Sequence, residues 1–425
     1  MDGIFLFIHQ CLVYLTVVNI KIKDIMYFTR FKKLLFFGAM STIIMFNSCN
    51  NEKPVVPTPT SNPAALLTDQ AKRDMVYSLV DLEGNKGRIY EMYYTVDYKL
   101  DEALNAGIVG TKTLTQFVMT HLMDQNSPAT KSHGLYYDAG CSAFAVPDRD
   151  SKDYLMGRNF DFNHKDPAGN RVMIPVIVVH TAPAGGKKSV SFVDGQFVYY
   201  KSGFYTDKDS DLSMLMAMPY LLLDGINEDG FAICVLKLDG NPTKQEVAGK
   251  KNIFTTVAMR MLLDRASTVK EATAMLDEYN MWMDEDKASY HFFMADATGD
   301  FAIVEYTYLD GEPNPTRKEV LKGEDALRFV TNFYVSPTMA DNPDGIKHST
   351  HGKRRYEILD STLLANNYKL NPAQVMELLQ SVSQGPEVTL STGFTQWSET
   401  INLTKKKVTM SILREYDKKF EFTIE

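Results

Sequence analysis

At 425 residues, with 44% of them hydrophobic and 23% charged, the chain has the composition of a folded protein, long enough for one large core or two modest ones. A formal charge of −8 at pH 7 leaves no basic footprint and argues against a nucleic-acid partner. The short cationic runs Lys353-Arg354-Arg355 and Lys405-Lys406-Lys407 read as solvated faces.

Residues 1–48 read as a leader that addresses the chain rather than folding it. Arg30, Lys32 and Lys33 precede an apolar stretch at 34–46, which ends in Asn47, Ser48 and Cys49, the layout of a signal peptide with a lipoprotein-type end. A small residue before Cys49 suits a lipoprotein signal peptidase, after which acyl chains on Cys49 hold an exported protein on a membrane of the cell envelope. A plain secretory signal, giving a periplasmic or secreted protein, is the alternative. The earlier apolar run MDGIFLFIHQCLVYLTVVNI is surplus to one signal peptide, so Met26 is the expected start. Cys11 then falls outside the protein, and the mature cysteines are Cys49, Cys141 and Cys234. Residues 49–65, rich in Pro, Asn, Thr and Ser, read as a flexible tether.

From residue 66 to residue 140 the pattern is helical, in TDQAKRDMVYSLV, YTVDYKLDEALNAG and TKTLTQFVMTHLMD, with Gly107 and Gly110 as stops. Beyond it the texture changes to short β-type runs: CSAFAV, YLMGRNF, MIPVIVVHTA, SVSFVD and GFAICVLKL. SYHFFMADATGDFAIVEYTY reads as a hairpin turning at Asp296-Ala297-Thr298-Gly299. Helices are expected at 252–265, at 268–281 with capping-box spacing between Thr268 and Glu271, near 353–365, and from Asn371-Pro372. SETINL, KVTMSIL and KFEFTI close the chain as strands, which together predicts an α+β layered domain.

The chemistry narrows to one thiol. No G-x-S-x-G, H-E-x-x-H or C-x-x-C motif is present, and AGGKKS fails the phosphate-loop pattern at Lys188. His348 and His351 have no carboxylate partner in frame and read as loop residues. Cys234 sits in a buried strand, where cysteine behaves as a small hydrophobe. Cys141, flanked by Gly140 and Ser142, remains to be explained. Cysteine catalysis ordinarily draws on a histidine base, and the eight histidines offer no local signature for one. Cleavage of the Gly140–Cys141 peptide bond would supply another base, since a free α-amine titrates near pH ~7.7–8.0, close to a thiol's ~8.5. Arg158 nearby would favour thiolate, and Asp161 suits holding the ammonium. A hairpin running from CSAFAV through PDRDSKD to GRNFD brings all three together.

The block GCSAFAV…GRNFDF resembles the nucleophile region of the choloylglycine hydrolase and penicillin V acylase family, N-terminal-nucleophile (Ntn) cysteine amidases. It is also similar to the related acid ceramidase and N-acylethanolamine acid amidase, which likewise carry a helical segment before the cysteine. LDGINEDGFAICVLKL, HFFMADATGDFAIVEY, FVTNF and GKRRYEIL resemble further family blocks in the family's order, covering roughly residues 135–400. The resemblance implies an α+β fold, an αββα sandwich of two antiparallel sheets between helix layers, spanning 141–425 and preceded by the helical segment. It implies Cys141 as nucleophile with its own freed amine as base, Arg158 tuning the thiol, Asp161 orienting the amine, Asn332 stabilising the oxyanion and Arg355 organising the site. The family's substrate-side Asn or Tyr falls here on Lys237, a departure, although the backbone N–H at that position still suits the oxyanion. Asn227 is read mainly as a turn residue.

The reaction implied is hydrolysis of a linear amide C–N bond after autoproteolysis at Gly140–Cys141, with no metal or organic cofactor required. The small-molecule substrate is an N-acyl amide, with the preceding helical segment favouring fatty acid amides over bile-salt-like conjugates. Met214, Met216 and Met218, alternating in DLSMLMAMPYLLL, suit an adaptable acyl pocket or the core face of a strand. A bile salt hydrolase or penicillin V acylase proper, an acyltransferase to an amine acceptor, and a non-catalytic lipid-binding surface lipoprotein are the alternatives.

Overall fold

The computed structural model describes residues 67–123 and 139–424, apart from 167, 199, 208, 284–288, 309–311, 313 and 388–392. The expected leader, the tether and Cys49 lie outside the described residues.

The segment ahead of Cys141 opens with helix α1 (Gln70–Tyr77), whose first turn is capped by the Asp69 carboxylate accepting from the Ala71 N–H at 2.7 Å. Two strands follow, β1 (Val80–Asp81) and β2 (Ile89–Tyr94), then α2 (Leu100–Ala106), closed by Gly107 at φ 63°, and α3 (Thr111–Phe117), which continues as a wider turn through Val118–Leu122. The segment is therefore helical as expected but also supplies strands.

After it come β3 (Ala139–Pro147), β4 (Tyr154–Phe162), β5 (Val176–Thr181) and β6 (Ser189–Asp194). A 3₁₀ segment at Leu212–Tyr220 leads into β7 (Leu222–Asn227) and β8 (Ala232–Leu238). Then come β9 (Lys251–Phe254), α4 (Thr255–Arg265), α5 (Val269–Leu276), β10 (Tyr279–Trp282), β11 (Ser289–Ala295), β12 (Phe301–Thr307), β13 (Arg317–Leu321) and β14 (Phe329–Val330). The chain closes with α6 (Lys353–Ala365), α7 (Pro372–Ser381), β15 (Thr395–Asn402), β16 (Lys407–Ile412) and β17 (Phe420–Thr423). The capping signals hold. Thr268 accepts from the Glu271 N–H at 3.2 Å, and Asn371 and Gln374 form a reciprocal capping box around Pro372.

The described strands make a nine-stranded sheet, β1-β2-β5-β6-β7-β8-β11-β12-β13, a six-stranded sheet, β14-β3-β4-β15-β16-β17, and a small parallel pair, β9 with β10. Both large sheets are antiparallel except where β2 lies parallel to β5, Ile89 opposite Val176. Helix α4 packs on β7 and β8, α7 packs on β4 and β15, and β3 faces β8 and β11 across the middle, giving helix, sheet, sheet, helix. Strand alternation sorts the side chains. Along β3, Cys141, Ala143 and Ala145 face the core between the sheets, whereas Phe144 and Val146 pack with Leu359, Leu363 and Leu379 of the outer helices. The sandwich thus points the Cys141 thiol inward.

Candidate active site

The hairpin β3–β4 sets Cys141 opposite Phe160, Ala143 opposite Arg158 and Gly140 opposite Asp161. Arg158 and Asp161 are three residues apart on a strand of period two, so their side chains leave opposite faces. Arg158 points between the sheets with Cys141. Asp161 points toward the outer helices, beside the backbone that leads into Cys141.

Arg158 is fully buried. Its Nε donates to Asp224 Oδ2 at 3.1 Å, its Nη2 to the Val235 carbonyl at 3.0 Å and its Nη1 to the Asn159 carbonyl at 2.7 Å. Burial works against its charge, but Cys141, Cys234 and Asp224 more than compensate and raise its pKa. Asp224 also accepts from Trp397 Nε1 at 3.2 Å, and burial pushes its carboxyl up to about 6 against the pull of Arg158. Glu399, the cross-strand partner of Arg158 on β15, is fully buried with neither oxygen hydrogen-bonded. Burial and then Asp224 push it well above the usual carboxylate range, with Arg158 opposing. Cys234 is a free, buried thiol pushed up by burial, consistent with a core residue.

On the other face, Asp161 accepts from Thr395 Oγ1 at 2.6 Å and Gln384 Nε2 at 2.8 Å, and Arg355 Nη1 stands 3.9 Å away. Burial raises its pKa, with Arg355 and the two hydrogen bonds opposing. Arg355 corrects the expectation of a solvated face for its run: Lys353 and Arg354 are exposed, but Arg355 is buried. Third in its helix, it turns inward to donate to the Cys141 carbonyl, to Ser142 Oγ at 3.1 Å and to Asn332 Oδ1 at 2.7 Å. Burial lowers its pKa, and Asp161 and Cys141 act against that.

Asn332, expected as an oxyanion donor, has its carboxamide oxygen committed to the nitrogen of Cys141, which donates to it at 2.6 Å. Its Nδ2 donates to the Lys237 carbonyl at 2.7 Å. A side chain at Gly140 would crowd the Gln384 amide that bonds Asp161. A Cβ there would lie 2.1 Å from Gln384 Nε2 and 3.2 Å from Arg355 Nη2. Cys141, Arg158, Asp161, Asn332 and Arg355 therefore meet at one point, as the hairpin and the resemblance required.

Cys141 borders a largely apolar cavity. One wall is helix α3 and its extension, through Leu114, Val118 and Met119. The opposite walls are Phe160, Phe162, Val235 and Leu223, and Lys237 is the one charged residue among the described residues of the lining. The methionines are a correction. Residues 212–220 form a 3₁₀ helix instead of a strand, so alternation does not select a face, and it is Met214, Ala217 and Leu221 that border the cavity. Met216 and Met218 are fully buried elsewhere in the core. Asn227 is a turn residue: its oxygen accepts from the Asp229 and Phe231 N–H groups at 3.1 Å each, ahead of Gly230 at φ 84°. His351 pairs with Asp239 at 3.4 Å, outside the cavity lining. Sequence reasoning missed Asp224, Glu399, Gln384 and Thr395. Their separations from Arg158 and Asp161 leave no local signal, although a charged or amide side chain inside an apolar strand, as in SETINL, marks a buried polar contact to be sought.

Among solved structures, the chain is similar to two variants of conjugated bile acid hydrolase from Clostridium perfringens. Identities are 14% and 15% and TM-scores 0.44 and 0.45, each covering 67% of this chain and 92% of that one. It is also similar to penicillin V acylase from Agrobacterium tumefaciens, at 18% identity and TM-score 0.42, over 64% of this chain and 83% of that one. A search of curated proteins gave no match. The family model of linear amide C-N hydrolases, choloylglycine hydrolase family, matches residues 141–309 and so begins on Cys141 itself. Over residues 141–309 the chain is accordingly similar to the linear amide C–N hydrolases of the choloylglycine hydrolase family.

Proposed function

We propose that the protein is an exported lipoprotein, anchored through Cys49, that hydrolyses N-acyl amides with a long apolar acyl group after the Gly140–Cys141 bond has been cut. The observation that carries the substrate reading is the cavity: it opens beside Cys141 and is apolar except for Lys237, Tyr290 and a few threonines. Such a lining gains from taking up an acyl chain by about 25 cal/mol per Å² of apolar surface removed from water. The basic residues and apolar run before Cys49 support export.

In the maturation step, the Cys141 sulfur attacks the Gly140 carbonyl carbon, the C–N bond breaks and the nitrogen of Cys141 takes a proton. Water then hydrolyses the thioester, leaving a carboxylate on Gly140 and a free amine on Cys141. The close fit around Gly140 and the bonds from Asn332 and Arg355 to the Cys141 peptide group favour one geometry for that attack. In turnover, the α-amine accepts the thiol proton and Arg158 stabilises the thiolate. The sulfur adds to the substrate carbonyl, and the oxyanion is met by Asn332 and by the backbone N–H at Lys237. The ammonium, held near Asp161, returns its proton to the leaving nitrogen as the C–N bond breaks. Water, deprotonated by the same amine, releases the acid from the thioester.

Hydrolysis of N-oleoylethanolamine, glycocholate and phenoxymethylpenicillin should be compared side by side. The highest kcat/KM is expected for the oleoyl amide. Turnover of glycocholate alone would reassign the acyl group to a sterol, acyl transfer to an added amine in preference to water would make it a transferase, and binding without turnover would make it a lipid carrier.

A further inference from the structure

Strand β11 carries a histidine that none of these steps uses. His291 is fully buried. Its Nε2 lies 2.9 Å from the carbonyl oxygen of Thr331, the residue immediately before Asn332, and its Nδ1 lies 3.1 Å from Glu305 Oε1. Glu305, also fully buried, accepts from the Val335 N–H on Oε1 and from the Ser336 N–H on Oε2, both at 2.9 Å. The segment 331–336, which presents Asn332, is thus tied at its start to the imidazole and at its end to the carboxylate.

Both ring nitrogens face acceptors. A neutral imidazole has one N–H, so it would turn a lone pair either on the Thr331 carbonyl or on a carboxylate that two backbone N–H groups favour as the anion. Only the imidazolium fills both positions. The surrounding elements agree. From β12 the ring meets Glu305, and on β13 Glu319 sits opposite Glu305 in the ladder while Arg317 and Lys318 bond to Glu312 and Asp277. Its partner on β8 is Leu236, with Lys237 one residue further on at the cavity. The 331–336 segment adds the Tyr334 hydroxyl, bonded to Ser289, and β3 packs against β11.

We propose that His291, as the imidazolium, and Glu305 are a positioning pair that holds Asn332 against the nucleophile's nitrogen. The inference rests on the amidase reading above.

The test uses the mature enzyme. His291→Gln and Glu305→Gln should each lower kcat roughly 10- to 100-fold, the scale of a small misplacement near a reacting centre, with KM within about twofold. His180→Gln, which breaks a comparable pair with Glu91 remote from the cavity, should leave kcat unchanged. Because a buried variant can fail to fold, ¹⁵N NMR of wild-type protein labelled at histidine is the second arm, and two ring N–H groups on His291 are expected under the conditions of the activity assay. Near-normal kcat in both variants, or a singly protonated ring under those conditions, overturns the inference. If no amide is turned over the amidase reading falls instead, and the NMR result still decides the state of the pair.

Discussion

Around Cys141 the chemistry is divided between the two faces of one strand pair. The inward face carries Arg158 with the thiol, and on the other side Asp161, Arg355 and Asn332 surround the backbone of Gly140 and Cys141. Arg158 was legible because it sits in the same hairpin as the cysteine. The carboxylates beside it were not, since Asp224 lies 66 residues away and Glu399 reaches it only by pairing of β4 with β15. Those carboxylates have a measurable signature. Burial raises Asp224 from 3.8 to about 6, so the folded chain binds that proton more tightly than the unfolded chain does. Stability attributable to it is present below about pH 4 and is lost as pH rises toward 6, by roughly 3 kcal/mol at most. Glu399 acts in the same direction. Urea midpoints of Asp224→Asn across this range should decline less steeply with pH than those of wild type. Gly140 gives a second expectation: the methyl group of Gly140→Ala pushes Gln384 off Asp161, costing about 1–3 kcal/mol for the buried group left unpaired. Cleavage followed by gel should slow at least tenfold, and adding Gln384→Ala should recover part of the rate by clearing the space.

Among the elements, those with strong local signals were readable from the chain: the capped helices α5 and α7, the hairpin β11–β12 and the β3–β4 pair. The strand β2 was not, because IYEMYY gains its stability from a parallel partner, β5, more than 80 residues later. The 3₁₀ segment at 212–220 was misread because three methionines at every second position imitate a strand, while Pro219 and the Asp211 cap, which accepts from the Ser213 N–H at 3.0 Å, select a tighter helix. The correction can be tested by substitution. Met214→Ala should raise KM for a long-chain acyl amide severalfold with little loss of stability, whereas Met216→Ala should cost about 2–5 kcal/mol in denaturation and leave KM near wild type.

On the scale of the whole molecule, the segment before Cys141 is part of the catalytic body. It contributes β2 to the large sheet and α3 to the cavity wall. A cut at residue 140 therefore leaves two pieces that share one core, and they should co-elute in native chromatography and separate only in denaturant. The most direct test of the central claim, that Cys141 becomes an N-terminal nucleophile, is the denaturing intact mass of active enzyme quenched during turnover of N-oleoylethanolamine. A fragment beginning at Cys141 is expected, part of it heavier by one oleoyl group. Full activity from a chain uncut at Gly140–Cys141 would contradict the claim.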